Sequence, residues 1–152
     1  MTRVPNNIVK LEVNWRNVPS LQAYVGIKLP YQIKLAMINT ADRVADIVVE
    51  GAKRTVPIGT PESTGIPGYK GGSLQKSIRK ERWAMPKGNI VYTRIRAGGY
   101  VTNPNTGRKV HYAKYVEYGT RYMGARPYMR PNLRWGIKKF PDIFWEELAR
   151  IP

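Results

Sequence analysis

The segment Tyr31–Thr55, YQIKLAMINTADRVADIVVEGAKRT, decides the fold, because it is the longest stretch with an unbroken helical pattern. Spacings of three and four residues place one set on a single stripe: Ile33, Met37, Thr40, Val44, Ile47, Val48 and Gly51. Charged residues mark the opposite, wetter side: Arg43, Asp46, Glu50 and Lys53. The pattern predicts an amphipathic helix that packs its apolar stripe against a sheet.

Segments on both sides of this helix have the period of strands. Residues 8–15, IVKLEVNW, alternate partly and are rich in β-branched residues. Residues 90–97 alternate more strictly, with Ile90, Tyr92, Arg94 and Arg96 on one face and Val91, Thr93 and Ile95 on the other. Leu74 to Trp83 is expected to form a helical turn that leads into a strand. Val18-Pro19-Ser20 predicts the start of another helix, which Leu29-Pro30 interrupts.

Pro and Gly mark the loops. Residues 56–73 are so dense in both that we expect no regular element there, and a loop of this length is typical of an interaction arm. Gly98-Gly99 and residues 103–107, NPNTG, predict turns around a hairpin.

The C-terminal third contains shorter helices. His111 to Tyr118 fits either period two or period 3.6, and we favour a short helix with Gly119 as its left-handed C-cap. Pro131 suits the first turn of another helix. Phe140-Pro141-Asp142 is expected to restart a last one, in which Phe140, Phe144 and Leu148 share a face. The sequence therefore predicts a single α+β domain over residues 1–152: a long amphipathic helix on a small, mainly antiparallel sheet, with C-terminal helices and long loops.

Composition excludes several classes of protein. Apolar residues make up 42% of the 152 residues, as in ordinary globular domains. Because the chain has no cysteine, disulfides and thiolate metal sites are excluded. No run approaches the roughly 18–20 apolar residues of a membrane span. The first seven residues contain no apolar core, so we expect no signal peptide. The lack of cysteine suits a protein made in the cytoplasm.

Positive charge is concentrated in the middle of the chain. Lys and Arg total 26 against 10 Asp and Glu, a net charge of +16. Residues 51–140 hold 19 basic and 3 acidic residues, and the remainder of the chain is neutral. Such a field favours an anionic partner, either nucleic acid or an acidic protein surface.

No residue pattern indicates catalysis. One histidine and no cysteine exclude Cys/His dyads and multi-histidine metal sites, and no Gly-x-Ser-x-Gly elbow accompanies His111. Glu146 and Glu147 are adjacent on a helix and are expected to form a solvated face. Neither Gly71-Gly72 nor Gly98-Gly99 has the spacing of a phosphate loop. We therefore expect no enzyme, no catalytic residue, no metal, no cofactor and no small-molecule substrate.

Basic residues alternate with aromatic ones along the same region. This pattern occurs in proteins that bind single-stranded nucleic acid, and also in the anchors of protein interfaces. We place the protein interface first, with Trp83, Tyr92, Tyr128 and Trp135 as anchors, although Trp83 and Trp135 fit a core position equally well. The basic residues expected at a partner-ring or DNA contact are Lys70, Arg79, Lys80, Arg82, Arg94, Arg96, Arg108 and Lys109.

Two stretches resemble the tail-completion, or head–tail joining, family of long-tailed bacteriophages. The first is Val56-Pro57-Ile58-Gly59-Thr60, Ser63-Thr64-Gly65 and Gly72-Ser73-Leu74-Gln75-Lys76-Ser77-Ile78. The second is Tyr112-Ala113-Lys114-Tyr115-Val116-Glu117-Tyr118-Gly119-Thr120, followed by Ala125-Arg126-Pro127-Tyr128-Met129-Arg130-Pro131. The matching positions are Pro57, Thr64, Gly65, Leu74, Ser77, Tyr112, Ala113, Val116, Glu117, Gly119, Thr120, Arg126, Pro127 and Pro131.

The resemblance covers a core of roughly residues 31–140, between an N-terminal extension (1–30) and a C-terminal helix (141–152). Residues 66–73 enlarge the family's loop, and the extension has no counterpart. The resemblance implies a virion protein of the neck or tail: a homo-oligomeric ring, hexameric with a dodecamer as the alternative, that docks on neighbouring neck or tail rings and contacts genomic DNA only transiently. The alternative function is a sequence-independent nucleic-acid-binding protein.

Glu117 is one of only three acids in the basic region. We therefore expect it to be an internal anchor paired with an arginine, either Arg126 or Arg121.

Overall fold

The structure, a computed structural model, describes residues 8–14 (backbone only), 31–87 and 90–152. Its elements are β1 (Ile8–Asn14), α1 (Tyr31–Thr55), α2 (Pro61–Thr64), α3 (Ser73–Ser77), β2 (Arg79–Lys87), β3 (Ile90–Arg96), α4 (Ala113–Tyr118) and α5 (Met129–Arg150). The α+β class is confirmed. The expected helix start at Val18-Pro19-Ser20 and its interruption at Leu29-Pro30 lie outside the described residues.

The three strands form one antiparallel sheet in the order β1-β3-β2. The central strand β3 has the alternation that its sequence predicts, because Val91, Thr93 and Ile95 are buried beneath the helices and the residues between them are half-buried on the outer face. The pairing of β2 with β3 shifts register between Lys80 and Arg82 and again before Met85. These irregularities bend β2 away from an ideal ladder.

Helix α1 has the predicted bounds and lies between the sheet and α5. Its stripe is buried at Met37, Thr40, Val44 and Val48, and alanines extend the buried surface. The Thr40 hydroxyl donates a hydrogen bond of 2.6 Å to the carbonyl of Ala36, so its burial leaves no free donor. A helix that is covered on two sides needs this wider apolar surface.

Two glycines permit the close approach of α1 and α5. A Cβ added at Gly136 of α5 would lie 2.7 Å from Cγ2 of Val48 and 3.2 Å from Cγ1 of Val44. A Cβ added at Gly51 of α1 would overlap the side chain of Asn132 of α5. At each glycine, the backbone of one helix therefore packs directly against a side chain of the other helix.

Helix α5 is continuous from Met129 to Arg150, so the expected break at Phe140-Pro141 is wrong. Pro141 stands inside the helix, where its ring removes one main-chain donor. Packing compensates for this loss, since Ile143 and Phe144 are buried and Phe140 stacks on Phe144 at a centroid distance of 6.5 Å. The predicted face of Phe140, Phe144 and Leu148 is confirmed.

The loop after α1 contains a helical turn that we did not expect. Thr60 caps this turn reciprocally with Ser63, Pro61 occupies its first position, and Gly65 ends it with φ 68°. Prolines and glycines thus occupy the two ends of a turn, where they are favourable.

The segment 99–110 folds as the predicted hairpin. Thr102 and Lys109 form an antiparallel bridge, and the turn between them is closed by hydrogen bonds to Asn103. Lys70 of the preceding loop exchanges two hydrogen bonds with the side chain of Asn105, at 2.9 and 2.8 Å. These bonds attach the loop to the hairpin.

Candidate interaction surface

The second motif forms one compact unit around the carboxylate of Glu117. Its Oε2 accepts hydrogen bonds from the main-chain N–H groups of Tyr128 (2.8 Å) and Met129 (2.9 Å), and Oε1 accepts from that of Arg130 (3.0 Å). The Arg130 Nε donates a fourth bond of 3.2 Å. Glu117 is an internal anchor, as predicted, but its partner is Arg130 and not Arg126 or Arg121.

The location of these donors explains why Glu117 pairs with Arg130. They lie at the start of α5, where the first N–H groups of a helix have no intrahelical partner and where a negative charge is favourable. Burial of Glu117 raises its pKa, but the hydrogen bonds from Met129, Tyr128 and Arg130 more than offset this effect and hold the pKa below its usual range. The carboxylate therefore remains ionised inside the protein.

Gly119 turns the chain after α4. Its φ is 77° and its ψ 177°, so it is not the left-handed helical C-cap that we expected, although it still needs a positive φ. A Cβ here would lie 2.8 Å from both the Met123 carbonyl oxygen and the Ala125 nitrogen. The chain then folds back, and the Arg126 N–H donates 2.8 Å to the Val116 carbonyl. The main chain of Arg126 is structural, while its side chain is exposed.

The four aromatic residues predicted as interface anchors differ in exposure, and one of them belongs to the core. Tyr128 is only 1% exposed and belongs to the core, and burial, followed by the charge of Glu117, raises the pKa of its hydroxyl. Trp83 and Trp135 are 72% and 55% exposed, which excludes the core alternative for both. Tyr92 is half-buried on the outer sheet face.

The first motif is also mainly structural. Leu74 is buried, and the Ser77 hydroxyl donates to the Leu74 carbonyl (2.6 Å) while it accepts the Gly98 N–H (2.8 Å). Gly65 ends the turn that begins at Thr60. These contacts join the loop, the start of β2 and the end of β3.

Other motif positions differ in exposure. Ala113 is buried, Tyr112 and Val116 are partly buried against the core, and Pro57 is half-buried. Thr64, Thr120, Pro127 and Pro131 are exposed. The Thr120 hydroxyl accepts the N–H groups of Tyr122 and Met123, at 3.2 and 3.1 Å, and so shapes the exposed turn.

The outer face of the sheet gathers three of the predicted arginines. Arg79 and Arg96 are directly opposite across β2 and β3. Glu81 lies between the strands, with Oε1 2.8 Å from Arg96 Nη1 and Oε2 3.5 Å from Arg94 Nη1. Arg79 covers the ring of Tyr100 at 4.0 Å, which joins the sheet face to the hairpin. We call Arg79, Arg94, Arg96, Glu81 and Tyr100 the arginine face.

The remaining basic residues are not equivalent. Lys80 points to the other side of the sheet, with Nζ 2.8 Å from Asp46 and 3.5 Å from Asp42 of α1, so it is an internal ion-pair residue and not a contact residue. Lys70 and Arg108 are exposed on the loop and the hairpin. Lys109 is exposed beside Tyr100, whose carbonyl it contacts at 3.1 Å. Arg82 is exposed on β2.

Exposed aromatic rings carry cations on one face. Besides Arg79 on Tyr100, the pairs are Lys80 on Trp83, Arg121 on Tyr122, Arg130 on Tyr118 and Lys139 on Trp135, at 4.4 to 5.6 Å. A cation on the ring occupies the surface on which a nucleic-acid base would stack. The sequence analysis missed Tyr100, and it included Arg130 in the second motif without pairing it with Glu117 or Tyr118.

A second ion-pair group lies between α1 and α5. Arg43 donates to Glu147 (2.7 Å) and Glu146 (3.0 Å), and Arg150 also contacts Glu147 (3.0 Å). Glu147 is 6% exposed, so the expected solvated face holds only for Glu146. The group joins the two helices.

Among the described residues, no group of three or more His, Cys, Asp or Glu side chains could hold a metal ion, and His111 is exposed. None of the described helices is long and apolar enough to span a membrane. No protein-family model matches the sequence, and neither a curated protein nor a solved structure matches it.

Proposed function

We propose that this chain is a structural subunit of a bacteriophage neck, in a ring that joins the tail to the head. The proposal rests on the two motifs that resemble the head–tail joining family. The observation that best supports it is the unit around Glu117, because the motif residues of greatest specificity meet in one buried contact. A motif that fixes α4 onto α5 explains why those residues occur together and requires no catalysis.

The ring is proposed to be hexameric, with twelvefold symmetry as the alternative, and to lie between neighbouring neck or tail rings in the virion. Its subunits would be made and assembled in the host cytoplasm. The exposed basic and aromatic side chains would then face partner proteins, with only transient contact to the genomic DNA in the channel.

Electron microscopy tests this function directly. Purified protein should form closed rings, and a gold-labelled antibody against it should mark the junction of head and tail on virions of the phage that encodes it. Particles made without the chain should accumulate as separate heads and tails. Label on another part of the virion, or normal joining without the chain, would contradict the proposal.

Sequence-independent binding of nucleic acid is the second candidate, and the charge of residues 51–140 favours it. The two functions differ in salt dependence, because each neutralised phosphate on duplex DNA contributes a slope of about −0.9 in log affinity against log salt. A neck protein should bind DNA weakly at physiological salt. Tight binding with a steep slope would favour the second candidate.

A further inference from the structure

The outer sheet face places like charges next to one another. Arg79 is directly opposite Arg96, and Arg82 is opposite Arg94. Like charges directly opposite in a sheet are destabilising. Glu81 is the one carboxylate among the described side chains that pairs with these arginines. The described side chains of this face, those of β2 and β3, therefore carry more positive charge than Glu81 neutralises.

Hydrogen bonding on this face is also incomplete. Among the described side chains, three buried polar atoms have no hydrogen-bond partner: Arg79 Nε, Arg94 Nε and Glu81 Oε2. All three belong to the arginine face. Since buried polar groups are almost always satisfied, these exceptions show that the charges of this cluster are poorly balanced within the protein. The three atoms themselves are shielded from solvent, and a partner would reach the exposed parts of the same side chains, of which Arg94 is 32% and Arg96 24% exposed.

We propose that the arginine face is a docking surface for a carboxylate-rich segment of a neighbouring ring protein. This inference rests on the proposed function and names the chemistry of the partner. Glu81 occupies the face in the absence of the partner and shows how a carboxylate is held between Arg94 and Arg96. Carboxylates from the partner would neutralise Arg79 and pair with the exposed parts of Arg94 and Arg96 beside Glu81.

Carboxylate fits this face better than nucleic acid. Single-stranded nucleic acid binds to a protein surface through bases stacked on exposed rings, and Arg79 covers one face of the Tyr100 ring. A guanidinium stacked on a ring keeps its in-plane N–H groups free for bidentate pairing with a carboxylate. A basic face also orients an acidic partner and accelerates its docking.

A fluorescein-labelled octaglutamate peptide serves as the probe, with binding measured by anisotropy at physiological salt. R94Q/R96Q should weaken binding by about tenfold or more, as expected for the loss of two interface charges. K53Q/R54Q is the matched control, because it removes the same charge from exposed residues at the end of α1. Equal weakening by both variants would show a general charge effect and overturn the proposal.

The variant E81Q gives an independent test. Because Glu81 neutralises part of the positive charge of Arg94 and Arg96, E81Q should bind octaglutamate more tightly than the wild type. The peptide should also raise the melting temperature of E81Q more than that of the wild type. Unchanged or weaker peptide binding by a folded E81Q protein would contradict the proposal.

A duplex oligonucleotide of equal charge completes the set. Tighter binding of the duplex than of the peptide, with loss of that binding in R94Q/R96Q, would assign the face to nucleic acid and overturn the inference. Labelling of virions is independent of these measurements. If the chain is found at the neck but the arginine face does not bind carboxylates, the docking inference fails while the proposed function stands. If the chain is not found at the neck, the proposed function itself fails.

Discussion

Glu117 caps the helix that begins at Met129: its Oε2 lies 2.9 Å from the main-chain nitrogen of Met129, although the two residues are twelve positions apart. The same carboxylate bonds the main-chain N–H of Tyr128 and of Arg130. One side chain thus fixes the end of α4, the turn at Gly119 and the start of α5. The carboxylate thus holds the C-terminal end of the segment 119–127, whose turn is also fixed by the hydroxyl of Thr120 and by the hydrogen bond from the Arg126 N–H to the Val116 carbonyl.

Replacement E117Q should therefore destabilise the protein. The amide keeps one acceptor oxygen but loses the charge and the second acceptor, so at least one main-chain N–H at the start of α5 is left without its partner. Arg130 is about half exposed and can turn to solvent, so it adds little to this cost. We expect a loss of about 2–4 kcal/mol in the free energy of unfolding by urea, on the scale of hydrogen bonds to charged groups. E146Q is the control, because Glu146 is half exposed and such a pair contributes about 0–1 kcal/mol. Equal melting temperatures of E117Q and the wild type would show that the carboxylate is not an anchor.

Acid should remove the same stabilisation. The pKa of Glu117 is lower in the folded protein than the value of about 4.3 in an unfolded chain. A group with a depressed folded pKa stabilises the protein fully above its unfolded pKa and loses this contribution as the pH falls through the folded pKa. The stability difference between wild type and E117Q should therefore be constant from neutral pH to about 5 and shrink below about 4. A difference that is independent of pH down to 2 would contradict this assignment.

The helix crossing makes a steric prediction. G136A adds a methyl group 2.7 Å from Val48 Cγ2, and relief of this clash should cost about 1–3 kcal/mol despite the better helix propensity of alanine. G124A is the control, since a Cβ at Gly124 meets no atom within 4 Å. The double variant G136A/V48A should lose about 1 kcal/mol less of its free energy of unfolding than the two single losses added together, because Val48→Ala makes room for the new methyl group. Strict additivity would show that the two residues do not touch.

Local periodicity predicted much of the fold. The bounds of α1 and the two faces of β3 follow from periods of 3.6 and 2. The continuous α5 could not be predicted in this way, since Pro141 signals a break locally and only the packing of α5 on α1 compensates for it. The capped turn at Thr60 was hidden by the surrounding prolines and glycines.

The interaction surface was predicted less completely. Charge counting found Arg79, Arg94 and Arg96 but also included Lys80, which follows Arg79 in β2 and therefore points to the opposite side of the sheet, towards Asp42 and Asp46. The partner of Glu117 was assigned wrongly because proximity in sequence favoured Arg121 and Arg126. The actual partner is determined by the direction of α5, which is a property of the tertiary structure.

The attachment of the loop to the hairpin can be tested by N105A. This change removes both hydrogen bonds between the Asn105 side chain and the main chain of Lys70. Loss of about 1 kcal/mol of local stability should accelerate hydrogen exchange at the Lys70 amide by several-fold. N105D keeps the acceptor for the Lys70 N–H and should retain much of the protection. An unchanged exchange rate in N105A would indicate that the loop is held by other contacts.

The last prediction concerns the exposed end of the basic region. Arg108 and Lys109 lie on the hairpin turn with exposed side chains, so R108E/K109E should change stability by no more than about 0.5 kcal/mol. If the hairpin faces an acidic neighbouring ring, the reversal replaces attraction by repulsion and should reduce the yield of joined particles when the variant replaces the wild-type chain. K138E/K139E on α5 is the control, because it reverses the same charge at a site away from the hairpin and the arginine face. Particles with this variant should join heads to tails more efficiently than particles with R108E/K109E. Normal joining by R108E/K109E, together with tight and strongly salt-dependent DNA binding by the wild type, would favour nucleic acid as the partner of the basic region.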